Sequence, residues 1–230
     1  VALITGANSG IGREMSLAFA QKGAGVIMAC RNMARGQAAR DQIHSLVPSA
    51  DLDLRQLDLS SLNSVQEFAG ALLNDYGHLD LLLNNAGLMA VPRWETADGF
   101  EMHLGVNHLG HFALTGALLP LLAATPASRI VTVSSMFAFL GRMDFDDLQR
   151  EDYTRYSAYA QSKLANILFS FELQRRLVRA GIDSTSLTAH PGYSATNLQP
   201  AAVRNSNSPL DGFVYPWLNR LLAQSSQMGA

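Results

Sequence analysis

Tyr159 and Lys163 stand four residues apart in a stretch of helical periodicity, so their side chains share one face, a single turn apart. An ammonium beside a phenol favours the phenolate and draws the tyrosine below its ordinary value of about 10. Proton exchange with an alcohol or carbonyl near neutral pH needs such a group. The same pair also arises by accident on exposed helices, so its meaning depends on what surrounds it. At the other end of the chain, Thr5-Gly6-Ala7-Asn8-Ser9-Gly10-Ile11-Gly12-Arg13 links an apolar run to a helical one. Gly6, Gly10 and Gly12 let backbone N–H groups approach a pyrophosphate, and the helix start adds a favourable dipole. Asn8, Ser9 and Ile11 complete this cradle, although a turn that only packs helix on strand would use the same glycines. No Lys-Ser/Thr pair follows, which excludes a P-loop.

Other reactive residue types point elsewhere. His103, His108 and His111 share a helical stretch, but their spacing does not put all three on one face with a carboxylate, and no metal site is expected. Cys30, the one cysteine, excludes an internal disulfide and reads as a small core residue. No Gly-x-Ser-x-Gly elbow supports hydrolase chemistry.

These residues need a frame. Residues 1–5, 26–30, 51–57, 79–84, 129–134 and 182–189 read as strands, the third less buried and suited to an edge. Helices are expected from the glycine turn to Lys22, from Asn32 to about Val47, and from a Ser60 or Ser61 cap through Val65, Phe68, Ala69 and Leu72. Two more run from Thr96 to about Ala123, broken at Pro120, and from about Tyr156 to Ala180, closed by Arg175, Arg176, Arg179 and Gly181. Strictly alternating elements predict an α/β fold: a single Rossmann-type, doubly wound parallel sheet with helices on both faces. No linker splits the pattern, so residues 1–230 are read as one domain, with a last helix from Tyr215 to about Ala223. The chain opens on Val1 rather than Met, and a trimmed N-terminus and C-terminus are expected. Hydrophobic residues at 48% and charged residues at 16% exclude disorder, and a net charge of −2 offers no basic field for nucleic acid. The apolar run 113–124 is too short for a bilayer and holds Pro120, so no membrane span is expected and the location is read as cytoplasmic.

The T-G-x-x-x-G-x-G spacing resembles the short-chain dehydrogenase/reductase family, and that family's other landmarks follow in order. They are Asp58-Leu59, Asn84-Asn85-Ala86-Gly87, Asn107 within residues 106–112, Ser134-Ser135, Tyr159 with Lys163, and Pro191-Gly192 followed by Thr196. The resemblance covers residues 1 to about 200. Ala29-Cys30-Arg31-Asn32, Thr96-x-Asp98-Gly99-Phe100-Glu101, Asn107-His108-Leu109-Gly110-His111-Phe112 and Ser162-Lys163-Leu164-Ala165-Asn166 are similar to the retinol-dehydrogenase-like branch and its bacterial oxidoreductase relatives. The resemblance implies Tyr159 as general acid/base and Lys163 as its partner, also touching the nicotinamide ribose. It implies Ser135, the second serine of its pair, as the hydrogen bond to the substrate oxygen, and Asn107 as holder of a relay water. Cofactor contacts are implied at Asp58, Leu59, Asn85, Ala86, Gly87, Pro191, Gly192 and Thr196. Ser135 and Tyr159 are 24 residues apart, further than in shorter members. The extra residues 141–155 hold five acids and three arginines and read as a solvated excursion that the retinol-dehydrogenase-like branch also carries.

A dinucleotide site that prefers NAD carries an acid near the end of the second strand. Here Cys30-Arg31-Asn32 supplies none, and Arg31, with Arg13 as a second candidate, suits a 2′-phosphate. NADP(H) is therefore the expected cofactor, with NAD(H) the alternative. Met89, Val91 and Trp94, then Met136, Phe137, Phe139 and Leu140, then Tyr193, Phe213, Tyr215 and Trp217 follow strand ends where a ligand would sit. About half of them belong to a core or an interface on general grounds. The expectation is an oxidoreductase for a hydrophobic carbonyl or alcohol. The competing class is a non-catalytic NADP(H)-binding regulator, which would need only the nucleotide landmarks. Leu164, Ile167, Leu168 and Phe171 widen the apolar stripe of the last long helix, which suits a homodimer or homotetramer.

Overall fold

Neighbouring apolar residues along each strand are divided between two faces, and that division organises the fold. In the computed structural model, which describes residues 1–192, β1 (Ala2–Thr5), β2 (Val26–Cys30), β3 (Leu52–Gln56), β4 (Leu81–Asn84), β5 (Ser128–Val133) and β6 (Ser184–Ala189) form one parallel sheet. Its strand order is β3-β2-β1-β4-β5-β6. Ile4, Met28 and Leu83 pack on one side with Met15, Ala39 and Ile43 of α1 (Gly10–Gln21) and α2 (Met33–Leu46). Leu3, Ile27, Leu82 and Ile130 pack on the other with α3 (Leu62–Asp75), α4 (Gly110–Ala124) and α5 (Arg155–Arg179). Each such fully buried side chain contributes roughly 1.5–3 kcal/mol. The order reverses between β1 and β4, and the crevice beyond the carboxyl ends at that reversal is where such sheets bind ligands.

Sequence patterning located these elements closely. β3 is the edge strand, with none of its residues fully buried. Asn32 caps α2 by accepting from Arg35 N at 2.9 Å, and Ser61, rather than Ser60, caps α3. The fourth helical region differs from expectation. Residues 96–101 form a turn closed by a Glu95–Glu101 bridge, and regular helix begins only after it. A turn of π-helix, Leu104–Leu109, then leads into α4. Pro120 does not break α4: it lies on the exposed face, as does Gly116, whose freed carbonyl water can satisfy. The apolar run 113–124 is thus the second half of a continuous helical stretch, Leu104–Ala124. At 21 residues and mean hydropathy 1.2, this stretch is long and apolar enough to cross a membrane by length and composition alone, a test that a buried core helix also passes. In the fold its buried Leu114, Leu118 and Leu122 face the sheet. The expected helix from Tyr215 and the expected contact at Thr196 lie outside the described residues.

Candidate active site

Thr5 ends β1 and holds the crevice together. Its Oγ1 accepts from the backbone N–H groups of Asn85 and Ala86, both at 2.9 Å, and its carbonyl accepts from Asn85 Nδ2 at 2.8 Å. The chain then turns at Gly6, whose φ of +67° is open to glycine without strain. A Cβ on Gly12 would press on the Gly6 carbonyl and come within 2.7 Å of Asn85 Nδ2. The glycines therefore let α1 start directly over the ends of β1 and β4. Ser9 precedes that helix without capping it, so the first-turn N–H groups face the cleft unclaimed. This geometry fits the pyrophosphate of a dinucleotide.

The cleft has a volume of about 370 Å³. Gly6, Asn8, Ser9, Gly10, Ile11 and Gly12 line one part, and Arg31, Asp58, Leu59, Asn85, Ala86 and Gly87 continue it. Ser135, Tyr159, Lys163, Pro191 and Gly192 complete it, so the lining gathers residues from seven separate segments of the chain. Asn32 is not part of that lining, because its side chain is used to cap α2. Arg13 is also diverted: its guanidinium pairs with Glu14 Oε1 at 2.6 Å and donates to Gln42 Oε1 at 3.1 Å. Arg31 is exposed at the rim and makes no side-chain hydrogen bond or ion pair among the described residues. Asp58 keeps its turn in place by accepting from Ser60 N at 2.9 Å and Ser60 Oγ at 2.6 Å.

Tyr159 and Lys163 occupy one face of α5, both buried. The Tyr159 ring meets His103 at 6.1 Å and Phe137 at 5.6 Å, centroid to centroid, both edge to face. Ser135 is its hydrogen-bond partner, while Ser134 instead donates to the Lys163 carbonyl at 2.8 Å. The second serine of the pair is thus the one turned to the tyrosine. Lys163 Nζ lies 5.8 Å from the Tyr159 ring centroid and donates to the Val133 carbonyl at 3.1 Å. Its other two N–H donors have no partner among the described residues, which suits the hydroxyls of a ribose. Asn107 Oδ1 accepts from Leu88 N at 2.9 Å, and its Nδ2 donates to Leu88 O at 3.0 Å and Ser162 Oγ at 2.9 Å. A Cβ on Gly87 would lie 3.1 Å from Asn107 Oδ1 and 3.5 Å from Lys163 Nζ, so a larger residue there would crowd that end of the cleft.

The electrostatics differ from the sequence expectation. Burial raises Tyr159, with the Ser135 hydrogen bond opposing, and no lowering by Lys163 is resolved. Burial also lowers Lys163 to about 8. Desolvation dominates because both side chains are buried and no counter-charge meets either of them among the described residues. The cleft therefore holds a protonated phenol and a lysine whose proton is loosely bound.

Several supporting groups had no role assigned to them from the sequence. Ser162 bridges Asn107 and the Tyr159 carbonyl, to which it donates at 2.7 Å. Glu101, fully buried, accepts from His103 N at 2.8 Å and Leu104 N at 2.7 Å and sits 2.8 Å from His103 Nδ1. Tyr153 donates to the Val91 carbonyl at 2.7 Å and lies 3.2 Å from the same imidazole nitrogen. Gln149 accepts from Glu101 N at 2.7 Å. The insertion 141–155 is solvated along much of its length, yet Gln149 and Tyr153 pin it to the wall behind Tyr159. Among the described residues, no three His, Cys, Asp or Glu side chains converge as metal ligands.

A family model described as short chain dehydrogenase matches residues 1–207. Human retinol dehydrogenase 13 is 46% identical over 198 residues, which is 85% of this chain and 59% of the relative. Mouse retinol dehydrogenase 11 is 48% identical over 193 residues, 84% of this chain and 60% of the relative. The chain thus spans about three fifths of the length of these relatives. Among solved structures, an uncharacterised protein from Mycobacterium paratuberculosis superposes with a TM-score of 0.76 at 44% identity, covering 97% of this chain and 76% of that one. A short chain dehydrogenase from Shigella flexneri, complexed with NADP, gives 0.71 at 27% identity, covering 90% and 82%.

Proposed function

The chain belongs to the short-chain dehydrogenase family, and from that premise we propose that it is an NADP(H)-dependent oxidoreductase for a hydrophobic carbonyl or alcohol. We read residues 1–230 as one domain serving that reaction. The observation that carries the proposal is the meeting of Ser135, Tyr159, Lys163 and Asn107 at one end of the glycine-lined cleft. The nicotinamide, when bound, supplies or accepts the hydride. The protein's part is to hold the substrate oxygen between Ser135 and Tyr159. Tyr159 gives its proton to that oxygen in reduction and takes it back in oxidation. Lys163 holds the ribose through its two spare donors and, as a cation, favours the phenolate that Tyr159 becomes. Asn107, fixed on both amide ends, keeps the helix that carries it in register with Leu88.

Substrate character follows from what surrounds the tyrosine. Met89 lines the cleft and Phe137 packs on Tyr159, while Met136 and Phe139, on the turn after Ser135, are exposed. Val91 is buried core, and Tyr193, Phe213, Tyr215 and Trp217 lie outside the described residues. The relatives' names refer to retinol, an apolar alcohol, and support the same class. Nicotinamide absorbance with a panel of hydrophobic aldehydes, ketones and alcohols tests the proposal. Turnover is expected; tight nucleotide binding without turnover would favour the regulator.

Arg31, without a side-chain partner among the described residues, is the basis for the nucleotide preference. A charge-assisted contact to a 2′-phosphate contributes roughly 1.5–3 kcal/mol, about ten- to a hundredfold in affinity. Titrations should show NADPH tighter than NADH by that factor, with Arg31→Asp removing the difference. Equal wild-type affinities would refute the assignment.

Phe112 on α4 and Leu168 and Phe171 on α5 are exposed, the last by 68%. Together with the partly buried Leu164 and Ile167, they form an apolar face that we assign to a two-fold interface. Light scattering at micromolar concentration should give at least twice the chain mass, and Phe171→Asp should return the monomer. A monomeric wild type would refute the interface.

A further inference from the structure

Beyond the groups at the reacting end, one buried histidine joins the two halves of the site. Thr5 Oγ1, already receiving two backbone N–H bonds, lies 2.9 Å from His111 Nε2 and 3.3 Å from the Leu83 carbonyl. Its single proton favours the shorter contact. His111 Nδ1 lies 3.0 Å from the Asn107 carbonyl, which can only accept. Nδ1 therefore carries the ring proton, and Nε2 offers its lone pair to the Thr5 hydroxyl. That one tautomer satisfies every atom in the chain.

A second proton would spoil it. Nε2–H would face an oxygen that already receives two N–H groups. Burial, with Lys163 and His108 as the nearby charged or titratable groups, holds His111 down to about 3. Thr5, His111 and Asn107 are all buried, so water does not compete for these bonds. The π turn that contains Asn107 shifts the backbone partners there by one residue, and the His111 side chain reaches the Asn107 carbonyl.

We propose that His111, as a neutral imidazole protonated at Nδ1, is a positioning residue that locks the Asn85–Ala86 turn of the cofactor cleft to the backbone of Asn107. Hydrogen bonds then run in one direction from the Asn85 and Ala86 N–H groups through Thr5 and His111 to the Asn107 carbonyl. The turn that shapes the cleft and the helix that carries Asn107 are held at one spacing. The kinetic consequence rests on the oxidoreductase reading; the effects on nucleotide binding and on the imidazole itself do not.

The test compares His111→Leu, which removes donor and acceptor, with His111→Gln, which keeps one of each. His111→Leu should weaken NADPH binding about tenfold and lower kcat by a similar factor, and His111→Gln should recover most of both. Thr5→Val combined with His111→Leu should weaken NADPH binding little more than Thr5→Val alone, because His111 acts through the Thr5 hydroxyl. A role in stability alone would lower Tm in both variants while leaving Kd and kcat per folded molecule within twofold of wild type, and that result would overturn the proposal. Should His111→Leu fail to fold, ¹⁵N NMR of the wild type decides. A non-titrating Nδ1–H tautomer from pH 5 to 9 is expected, and an Nε2–H tautomer or a titration in that range would overturn it. Absence of wild-type turnover would remove the oxidoreductase reading while the binding and NMR results still judged His111.

Discussion

Tyr159→Phe lowers kcat by roughly 10²- to 10⁴-fold and leaves the Kd for NADPH within about twofold of wild type. The substitution keeps the ring, and with it the edge-to-face contacts to His103 and Phe137 that fix its position. It removes the one O–H that Ser135 engages at the end of the cleft. The nucleotide contacts proposed at the glycine turn, at Arg31 and at Lys163 are untouched. Steady-state kinetics and nucleotide titration on the same preparation separate the two effects. A variant with wild-type kcat would mean that the proton comes from elsewhere.

Lys163→Met should make the cofactor-free protein more stable at pH 7 while abolishing most activity. Burial lowers the lysine from 10.5 to about 8, so at pH 7 the folded state carries a buried cation at a cost on the order of 3 kcal/mol. The sign follows from proton counts. Between about pH 8 and 10.5 the unfolded lysine is protonated and the folded one is not, so this group makes stability rise with pH across that window. Methionine fills similar volume without the charge. Its advantage should be full below pH 8, shrink through the window and vanish above it. Denaturant midpoints at pH 7, 9 and 10.5, beside NADPH titrations that lose the ribose contact, check both halves. A Lys163→Met protein less stable than wild type at pH 7 would show that the buried ammonium is better compensated than its single bond to Val133 O implies.

The sheet and the glycine cradle were legible because they depend on local rules. Apolar runs of five residues between helical stretches allow few arrangements, and Gly6, Gly10 and Gly12 announce a backbone that something must approach. Helical spacing put Tyr159 and Lys163 on one face, but only the family's order of landmarks singled them out, and Ser135 with them. Asn32, expected beside Arg31 as a cofactor contact, is ambiguous in sequence because an asparagine before a helix serves equally as cap or ligand contact; in the fold its side chain caps α2. Arg13 misled because Glu14 and Gln42, brought near by α1 and α2, take up its guanidinium. The expected lowering of Tyr159 considered the charge of Lys163 without the burial that neutralises its effect. Nothing in one dimension showed that Glu101, His103 and Tyr153 would meet behind Tyr159, or that His111 would join Thr5 to Asn107. Those contacts span up to 106 residues of sequence and exist only once the sheet has formed.

The most direct measurement follows a deuterium atom. NADPH carrying deuterium at C4, on one face and then on the other, is incubated with the protein and a hydrophobic aldehyde that the absorbance assay shows to turn over. With one of the two labelled forms, the deuterium should appear on the former carbonyl carbon of the alcohol, in wild type and in the residual product of Tyr159→Phe alike. Product formed without label from either form would contradict hydride transfer at this site.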